Sequence, residues 1–433
     1  MAATLTPEQI AIVKATAPVL KEHGTTITTL FYNNMLDAHP ELKNIFSLAS
    51  QTTGRQPRAL AASVLAYATY IDDLAKLQHA VERIAHKHVS LQVTPEQYDI
   101  VGKFLIEAIG QVLQEAATPE IVDAWTHAYA VLAGVFIGLE GQMYAANRAE
   151  GWAGWRKFRI VRKIAESETI TTFYLAPSDG AVPLPTYLPG QYVSLQVFVP
   201  SLGHLQSRQY SLSEAPREGG GDYYRISVKR EVGEDEEEAA GLPGVISNLL
   251  HDGFGVGDEV ELSHPQGEFF VDPRDKAKEG APAVLISAGV GATPLMAILG
   301  SLAGAEGKGA APAVRRPVSW IHTSRSSNSL PFGDAVRAIC RENEHVSAHV
   351  FLNAIGTEPE EKADVNYKFA HARLDLDKLD RDRDLFAAEP RAEYFICGPE
   401  TFMADVRRGL VDMGIDKERI YLELFATGDM AAE

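Results

Sequence analysis

A histidine on an apolar helical face is the first residue of this sequence that could do chemistry. In the stretch VERIAHKH, apolar residues recur at helical spacing and His88 falls on the same face. A neutral imidazole there can bind a buried metal or haem iron, although most such histidines are hydrogen-bonded core residues. His86 lies two residues away and points to another side of the helix, so only one of the two can face the core. His88 is therefore a candidate iron ligand or a core histidine.

Four other side chains among the first 150 residues could complete a haem pocket. Tyr32, in TTLFYNNML, would need a hydrogen-bond partner if buried, and bound dioxygen could serve as one. Gln56 and Leu60 share a helical face in GRQPRAL, where they offer an amide and apolar bulk, although such a pair taken alone is more often explained by an exposed glutamine. Phe46 ends PELKNIF, where an aromatic ring could pack in a core or on a porphyrin.

A carboxylate in an apolar helix suggests how the imidazole could be tuned. Glu140 follows Phe136 by four residues in WTHAYAVLAGVFIGLEGQ and so lies on or beside the buried face. A buried carboxylate is costly unless it is hydrogen-bonded. If Glu140 and Tyr98 contact the other ring nitrogen of His88, they raise its electron donation to a bound iron.

Two loops further along the chain have glycines between a predicted strand and a helix. LISAGVGATP contains Gly289 and Gly291, where close backbone approach and a helix N-terminus favour a pyrophosphate. The spacing is GxGxxP, with Pro294 where the dinucleotide fingerprint has its third glycine. The second loop begins CGP, and Cys397 could border a hydride-transfer site or be a small buried thiol. Arg325, in HTSRSSNS, could meet a 2′-phosphate or face solvent.

Three segments of different character must position these residues. Residues 1–148 are predicted to be helical, with three helix starts of the form Thr-Pro-Glu at Thr6, Thr94 and Thr118. Residues 149–275 contain short alternating runs typical of an antiparallel barrel or sandwich, and an acidic run, 231–238, predicted as a solvated loop. The remaining residues to 433 contain apolar runs such as AVLISA and EYFIC, each followed by a helical pattern, typical of a parallel sheet covered by helices.

Composition narrows the functional classes. The formal net charge of -18 argues against nucleic acid or an anionic membrane as a partner. Two cysteines cannot ligate an iron–sulfur cluster and do not suggest a disulfide framework, which favours a reducing compartment. The first residues lack a signal-peptide pattern, and no apolar run reaches the roughly 18 residues of a membrane span. We expect a cytoplasmic protein without an integral membrane segment.

Several of these segments resemble flavohaemoglobins. FYNNM, PELKNIF, KHVSLQVTPEQY and GVFIGLE are similar to the globin domain of that family, and the similarity continues to about residue 427. It implies three domains: an all-α globin domain that binds haem b (1–148), an antiparallel β-barrel FAD domain (149–275) and an α/β parallel-sheet NAD(P)-binding domain (276–433). The haem residues it implies are His88 as proximal ligand, Tyr98 and Glu140 as its hydrogen-bond network, Tyr32, Gln56 and Leu60 on the distal side, Phe46 on the porphyrin and Lys87 toward a propionate.

The same resemblance implies FAD rather than FMN. The physical logic of its RQYS motif is an arginine fork for phosphate, a tyrosine edge for the ring and a small hydroxyl for a ring nitrogen. The implied FAD residues are Tyr192, Arg208, Gln209, Tyr210, Ser211, Lys229, Glu231, Ser247 and Asn248, although strand packing or surface charge would also explain Tyr192, Lys229 and Glu231. The implied nicotinamide residues are Gly289, Val290, Gly291, Ala292, Thr293, Pro294, Cys397, Gly398 and Pro399.

The C-terminal motif YLELF departs from the pattern of the family. The resemblance gives Glu423 and Phe425 places at the flavin, where the terminal aromatic of the family covers the ring. Here the sequence continues as FATG where many relatives have FGP, and eight residues follow Phe425. The aromatic group that stacks on the flavin is therefore open.

The resemblance implies a nitric oxide dioxygenase driven by NAD(P)H through FAD and haem. A reductase of other acceptors, such as ferric iron, flavins or quinones, is one alternative. A haem-based sensor of oxygen or nitric oxide is another, although no kinase, cyclase or DNA-reading segment is visible. The expected partners are nitric oxide, dioxygen and NAD(P)H, with no nucleic acid. The sequence leaves open NADH against NADPH, and we expect a monomer with a dimer as the alternative.

Overall fold

The computed structural model describes residues 4–233, 244–304, 315–353 and 366–425. Most of the acidic run predicted as a solvated loop, 234–238, lies outside the described residues, as do the residues after Phe425.

The first part of the chain is helical, as predicted. Its α-helices are α1 (Pro7–Ala15), α2 (Ala17–Ala38), α3 (Leu48–Thr52), α4 (Arg55–Thr69), α5 (Gln78–Ser90), α6 (Pro95–Leu113) and α7 (Pro119–Ala149). Thr6 Oγ1 accepts a hydrogen bond from the backbone N–H of Gln9 at 3.2 Å, and Thr118 caps α7 in the same way. A shared apolar core, with Phe31 and Met35 of α2 at its centre, holds the helices together.

Helix α7 corrects one expectation from the sequence. It has 31 residues and is long and apolar enough, by length and composition alone, to cross a membrane, so the expectation that no stretch reaches this length is wrong. A long helix buried against others in a protein core meets the same test. Here α7 packs on α1, α5 and α6 and buries Trp125, Phe136 and the carboxylate of Glu140.

The middle part is an antiparallel sheet that closes on itself. Its strands are β1 (Arg156–Ala165), β2 (Ile170–Pro177), β3 (Tyr192–Val199), β4 (His204–Ser211), β5 (Tyr224–Lys229) and β6 (Glu259–Leu262), in the order β4-β3-β6-β1-β2-β5. A bridge between Leu212, directly after β4, and Ile226 in β5 joins the two edges. Helix α8 (Val245–Asp252) packs Ile246 and Leu250 into the interior. The predicted antiparallel barrel is thus confirmed.

The last part is a parallel sheet with helices on both faces, as predicted. Its strands are β7 (Ala283–Ala288), β8 (Val318–Ser324), β9 (Val346–Leu352), β10 (Tyr367–Ala370), β11 (Glu393–Cys397) and β12 (Ile420–Glu423), in the order β10-β9-β8-β7-β11-β12. Helices α9 (Ala292–Ala303) and α10 (Gly333–Glu342) cover one face, and α11 (Glu400–Asp412) covers the other.

The predicted domain boundaries at 148/149 and 275/276 stay predictions. Helix α7 ends at Ala149, close to the first of them. Phe269 and Val271 precede the second boundary yet pack into the core of the parallel-sheet part.

Candidate functional site

Three helices bring His88, Tyr98 and Glu140 into one hydrogen-bonded cluster. His88 lies in the last turn of α5, with its Nδ1 2.8 Å from Tyr98 Oη on α6 and 2.9 Å from Glu140 Oε1 on α7. Tyr98 Oη donates to the same carboxylate oxygen at 2.6 Å. Both of these hydrogen bonds of the imidazole use Nδ1, so Nε2 is the ring nitrogen that can ligate iron.

Hydrogen bonds fix the carboxylate and the phenol of this cluster in place behind the imidazole. Glu140 is only 2% exposed, so its carboxylate depends on hydrogen bonds from its neighbours. Burial, followed by the hydrogen bond to Glu140, raises the pKa of Tyr98, which therefore stays a neutral donor. The geometry places the imidazole proton on Nδ1, facing Glu140, and leaves a lone pair on Nε2. This form of histidine binds iron and gains basicity from a carboxylate behind it.

The structure also gathers the side chains predicted for the other side of the haem. Tyr32 on α2 is 5% exposed, and its ring stands edge-on to Phe46 with 5.6 Å between ring centroids. Gln56 on α4 hydrogen-bonds to Tyr32, and Leu60, one turn later, packs against the same core. Burial raises the pKa of Tyr32, so its phenol stays protonated. Gln56 is partly buried, and the reading of it as an exposed surface glutamine is wrong.

These residues fit a haem better than a metal ion held by protein ligands alone. Within the described residues, no group of three His, Cys, Asp or Glu side chains could hold a metal ion. His88 offers one neutral nitrogen, as expected for an iron whose equatorial ligands come from a porphyrin. Its side chain is 31% exposed despite its apolar neighbours, which leaves the ring accessible to such a group.

Lys87 faces the barrel part of the molecule. Burial, followed by the nearby charge of Arg208 on β4, lowers the pKa of Lys87 to about 8. The helix that carries His88 therefore lies beside the strand that carries the RQYS motif. The predicted contact of Lys87 with a propionate stays a prediction.

Strands β3 and β4 place predicted flavin residues side by side. In their antiparallel register Tyr192 is opposite Ser211, and Ser194 is opposite Gln209. Directly opposed residues, and residues two apart on one strand, share a face, so these four side chains lie on one face of the ladder. Ser211 Oγ is buried and has no hydrogen-bond partner in the described part of the chain. An orphan hydroxyl at this point fits a polar contact with a bound flavin.

The other two residues of the motif are largely enclosed. Arg208 donates from Nη1 to the Ser207 carbonyl at 2.7 Å, and burial lowers its pKa. Burial raises the pKa of Tyr210, so its hydroxyl stays protonated.

A second cluster of predicted flavin-binding residues surrounds Glu231. Its backbone N–H donates to Ser247 Oγ at 3.3 Å, and its carbonyl accepts from Asn248 Nδ2 at 2.9 Å. Lys229 Nζ lies 3.2 Å from Glu231 Oε1. The other amide atom of Asn248, Oδ1, is buried without a partner among the residues described and so is available to a ligand.

The two glycine-bearing loops flank the switch point of the parallel sheet. The chain runs from β7 outward to β10 and then returns to β11 on the other side of β7. Ligands of such sheets bind at the carboxyl ends of the strands beside this reversal. Residues 289–294, which include Val290, Ala292, Thr293 and Pro294, follow β7. Cys397 ends β11, and Gly398 and Pro399 follow it.

Close contact between these loops requires glycine at position 291. A Cβ on Gly291 would lie 2.2 Å from the carbonyl oxygen of Cys397 and 2.8 Å from the backbone nitrogen of Gly398. By contrast, Gly289 has φ +53° and open space beside it, so a ligand can approach its backbone. Burial, followed by the charge of Glu423, raises the pKa of Cys397, which is therefore a protonated thiol and not a nucleophile.

Three further predicted residues lie at or just after the carboxyl ends of strands. Glu423 pairs with Cys397 across β11 and β12, and burial together with the nearby Glu268 raises its pKa. Phe425, at the end of the described chain, is 49% exposed. Arg325 is exposed in the loop after β8. The predicted roles of Phe425 at the flavin and of Arg325 at a 2′-phosphate stay predictions.

Sequence reasoning missed the contacts that join the helical part to the barrel. His86 Nδ1 lies 2.8 Å from Gln266 Oε1, and Ser194 Oγ donates to Ser90 Oγ at 2.8 Å. Gln206 Nε2 donates to the carbonyl of Lys43 at 2.7 Å. The partners are more than a hundred positions apart in the chain, and no periodic pattern pairs such residues. The sequence signal that could have indicated these contacts was the presence of polar residues, such as His86 and Ser90, on α5.

Comparisons with known proteins cover all three parts of the chain. A family model described as Globin matches residues 29–136. The chain is 45% identical over 429 residues to the flavohemoprotein of Bordetella pertussis, covering 99% of this chain and 100% of that one. It is 46% identical over 423 residues to the flavohemoprotein of Deinococcus radiodurans, covering 97% of each. It is similar to the crystal structure of flavohemoglobin from Malassezia yamatoensis with bound FAD and heme, with a TM-score of 0.79, 31% identity and coverage of 98% and 100%.

Proposed function

The chain belongs to the flavohaemoprotein family, and from that premise we propose that it is a nitric oxide dioxygenase with haem b, FAD and NAD(P)H as cofactors. In the balanced reaction, two molecules of nitric oxide, two of dioxygen and one of NAD(P)H give two nitrate ions, NAD(P)⁺ and one proton. FAD, held by the residues around Ser211 and Asn248, would supply two-electron chemistry with NAD(P)H, and haem, held by His88, would supply one-electron chemistry and dioxygen binding.

The contact of His88 with Glu140 is the observation that carries this proposal. A carboxylate 2.9 Å from Nδ1 draws the imidazole proton toward itself and gives the ring partial anionic character. Such a ring donates more electron density through Nε2 than a histidine hydrogen-bonded to a neutral carbonyl. Strong donation suits an iron that activates its ligand, whereas reversible oxygen storage does not need it.

On the opposite side, the proposed role of Tyr32 is to donate a hydrogen bond toward the reacting gases. Its pKa is raised by burial, so the phenol is a donor across the physiological range. Gln56 fixes the orientation of the hydroxyl, and Leu60 and Phe46 limit the access of water. Donors fixed in advance in a dry pocket stabilise developing negative charge without reorganising.

In the barrel and α/β parts, the proposed role of the residues is to bring NAD(P)H to the flavin. The loops at 289–294 and 397–399 would hold the pyrophosphate and nicotinamide at the switch point of the sheet. Ser211 and Asn248 would satisfy their buried orphan atoms on FAD.

We also propose a cytoplasmic location and a monomer. The two cysteines are free and buried, as in proteins of a reducing compartment.

The test is aerobic nitric oxide removal by the purified holoprotein, with nitrate yield measured for NADH and NADPH separately. Catalytic removal with one nitrate per nitric oxide supports the proposal. Rapid reduction of ferric iron, flavin or quinone that persists in His88→Ala, with little nitrate formed by the wild type, would instead indicate a reductase of other acceptors. Tight gas binding with negligible turnover would indicate a sensor.

A further inference from the structure

A buried chain of hydrogen bonds connects the flavin face of the barrel to the helix that carries His88. Gln209 Nε2 donates to Ser194 Oγ at 3.0 Å, and Ser194 Oγ donates to Ser90 Oγ at 2.8 Å. Ser90 Oγ in turn donates to the carbonyl oxygen of Lys87 at 2.8 Å. Each hydroxyl proton therefore has one acceptor, and the chain runs in one direction from β4 through β3 to α5.

The two serines at its centre are fully enclosed. Ser90 and Ser194 are both 0% exposed. Ser90 also hydrogen-bonds to Tyr192, which lies on the same ladder face as Ser194. The backbone N–H of Ser194 donates to Ser263 Oγ at 2.9 Å, which anchors β3 from the other side. Buried polar networks whose members are all satisfied fix one arrangement of the elements they join.

The ends of this network are the residues proposed to hold the two redox groups. Tyr192 and Gln209 belong to the proposed flavin site, and Ser90 is two residues after His88 on the same helical turn. Arg83 Nε lies 2.9 Å from Glu268 Oε1 in another contact between the parts, and the side chains of this ion pair are 38% and 28% exposed. Exposed ion pairs are weak and adaptable, whereas a buried hydroxyl pair is not.

We propose that Ser90 and Ser194 are a positioning pair that holds helix α5 against the flavin face of the barrel and thereby sets the rate of electron transfer from FAD to haem. This inference rests on the proposed cofactors but not on the reaction with nitric oxide. Neither serine is required to bind NAD(P)H or to accept hydride. The pair acts through distance and orientation, on which electron transfer between two groups depends steeply.

The experiment compares Ser90→Ala, Ser194→Ala and the double variant as full-length holoproteins. Rapid mixing with NADH under carbon monoxide, without oxygen, gives the rates of flavin reduction and haem reduction separately. Ferricyanide reduction reports the flavin alone. Ser319→Ala is the matched control, because Ser319 is also buried but has no hydrogen-bond partner in the described residues and lies at the start of β8.

We expect each single variant to slow haem reduction about three- to tenfold, the effect of losing one buried hydrogen bond. The rates of flavin reduction and of ferricyanide reduction should stay within about twofold of the wild type. The midpoint potentials of flavin and haem should not change beyond experimental error. The double variant should slow haem reduction by clearly less than the product of the two single effects, because both single variants already remove the hydrogen bond between the serines. In the cofactor-free chain, the backbone amides of α5, residues 78–90, should exchange hydrogen faster in both single variants and in the double variant.

Unchanged haem reduction in the single variants would overturn the inference, as would effects that multiply in the double variant. A parallel fall in ferricyanide reduction would also overturn it, because the damage would then not be specific to the transfer step. If the alanine variants do not fold, Ser194→Cys keeps the size of the side chain with a weaker donor and should slow haem reduction alone. A wild type that reduces its haem normally but removes no nitric oxide would refute the proposed function and leave this test intact.

Discussion

The carboxylate of Glu140 and the imidazole of His88 meet across two helices at 2.9 Å, although 52 positions separate them in the sequence. Glu140 is held there by Tyr98, which donates to the same oxygen. The carboxylate is thus anchored and cannot swing away from the ring to find water. This anchoring makes the charge behind the imidazole a fixed property of the fold.

Replacing that charge with a neutral amide should weaken electron donation by His88. In Glu140→Gln the amide oxygen can still accept from Nδ1, so the geometry is kept while the anionic character is lost. We expect a higher haem midpoint potential, a lower iron–histidine stretching frequency and nitric oxide turnover reduced about tenfold or more. Resonance Raman spectra and potentiometry measure the first two. Glu120→Gln, at the exposed start of α7, is the control. An unchanged stretching frequency would refute the role of the carboxylate.

Removal of the Tyr32 hydroxyl should slow nitric oxide removal at every pH tested. Burial raises the pKa of Tyr32 above its ordinary value of 10.0, so the phenol does not titrate between about pH 6 and pH 9. Tyr32→Phe should therefore reduce the rate about tenfold by a constant factor across this range. The measurement is aerobic nitric oxide removal as a function of pH.

Tyr67→Phe provides the matched control for this substitution. Tyr67 is equally buried in the helical part, and its hydroxyl donates to the Ala128 carbonyl at 2.8 Å. Its loss should lower stability by about 1 kcal/mol without changing the rate. A rate ratio between wild type and Tyr32→Phe that disappears toward high pH would contradict the assignment.

Much of this arrangement could be predicted from local sequence. The Thr-Pro-Glu starts, the alternating runs and the apolar runs indicate helices, barrel and parallel sheet because each pattern depends on neighbours within a few residues. The glycine-bearing loops were placed correctly because a strand, a turn and a helix follow one another in the chain. The placement of Glu140 on a buried face also follows from its spacing to Phe136.

Contacts between distant elements could not be predicted in the same way. Ser90 and Ser194 are ordinary small polar residues, and only the packing of α5 on β3 shows that they are paired. Helix α7 is the reverse case: by length and composition it could cross a membrane, and only its packing on α1, α5 and α6 shows that it is a core helix. Tertiary contacts of this kind leave no periodic trace.

A methyl group at Gly291 should separate the two loops of the proposed nicotinamide site. Gly291 has φ −59°, so alanine is not strained by its own backbone, and the whole effect comes from the 2.2 Å approach to the Cys397 carbonyl. We expect Gly291→Ala to destabilise the α/β part by about 1–3 kcal/mol and to slow flavin reduction by NADH about tenfold. Thermal unfolding and rapid mixing measure the two effects.

The control for this substitution is Gly138→Ala. Gly138 lies in the middle of α7 with nothing within 4 Å of the added Cβ. Alanine there should stabilise the helix by about 0.5–1 kcal/mol and leave flavin reduction unchanged. Normal flavin reduction in Gly291→Ala would show that the contact between the loops is not needed for hydride transfer.

His322 should make the α/β part sensitive to acid. Its Nδ1 is 2.8 Å from Ser287 Oγ and its Nε2 is 2.8 Å from Ser324 Oγ, and burial lowers its pKa to about 3. Below the ordinary value of 6.5 the unfolded chain gains a proton that the folded state excludes. The contribution of neutral His322 to the free energy of unfolding is therefore fully present above about pH 6.5. It declines as the pH falls toward 3, by up to about 1.4 kcal/mol per pH unit.

His322→Gln should flatten this dependence, because the amide can hydrogen-bond to both serines but does not titrate. Between about pH 7 and pH 5, the wild type should lose up to about 2 kcal/mol more of its unfolding free energy than the variant. Guanidinium unfolding followed by tryptophan fluorescence measures this, since Trp320 stacks on His322 with ring centroids 6.1 Å apart. His127→Gln, at a side chain that is 49% exposed, should leave the dependence as in the wild type. Equal losses in His322→Gln and the wild type would mean that other groups cause the acid sensitivity.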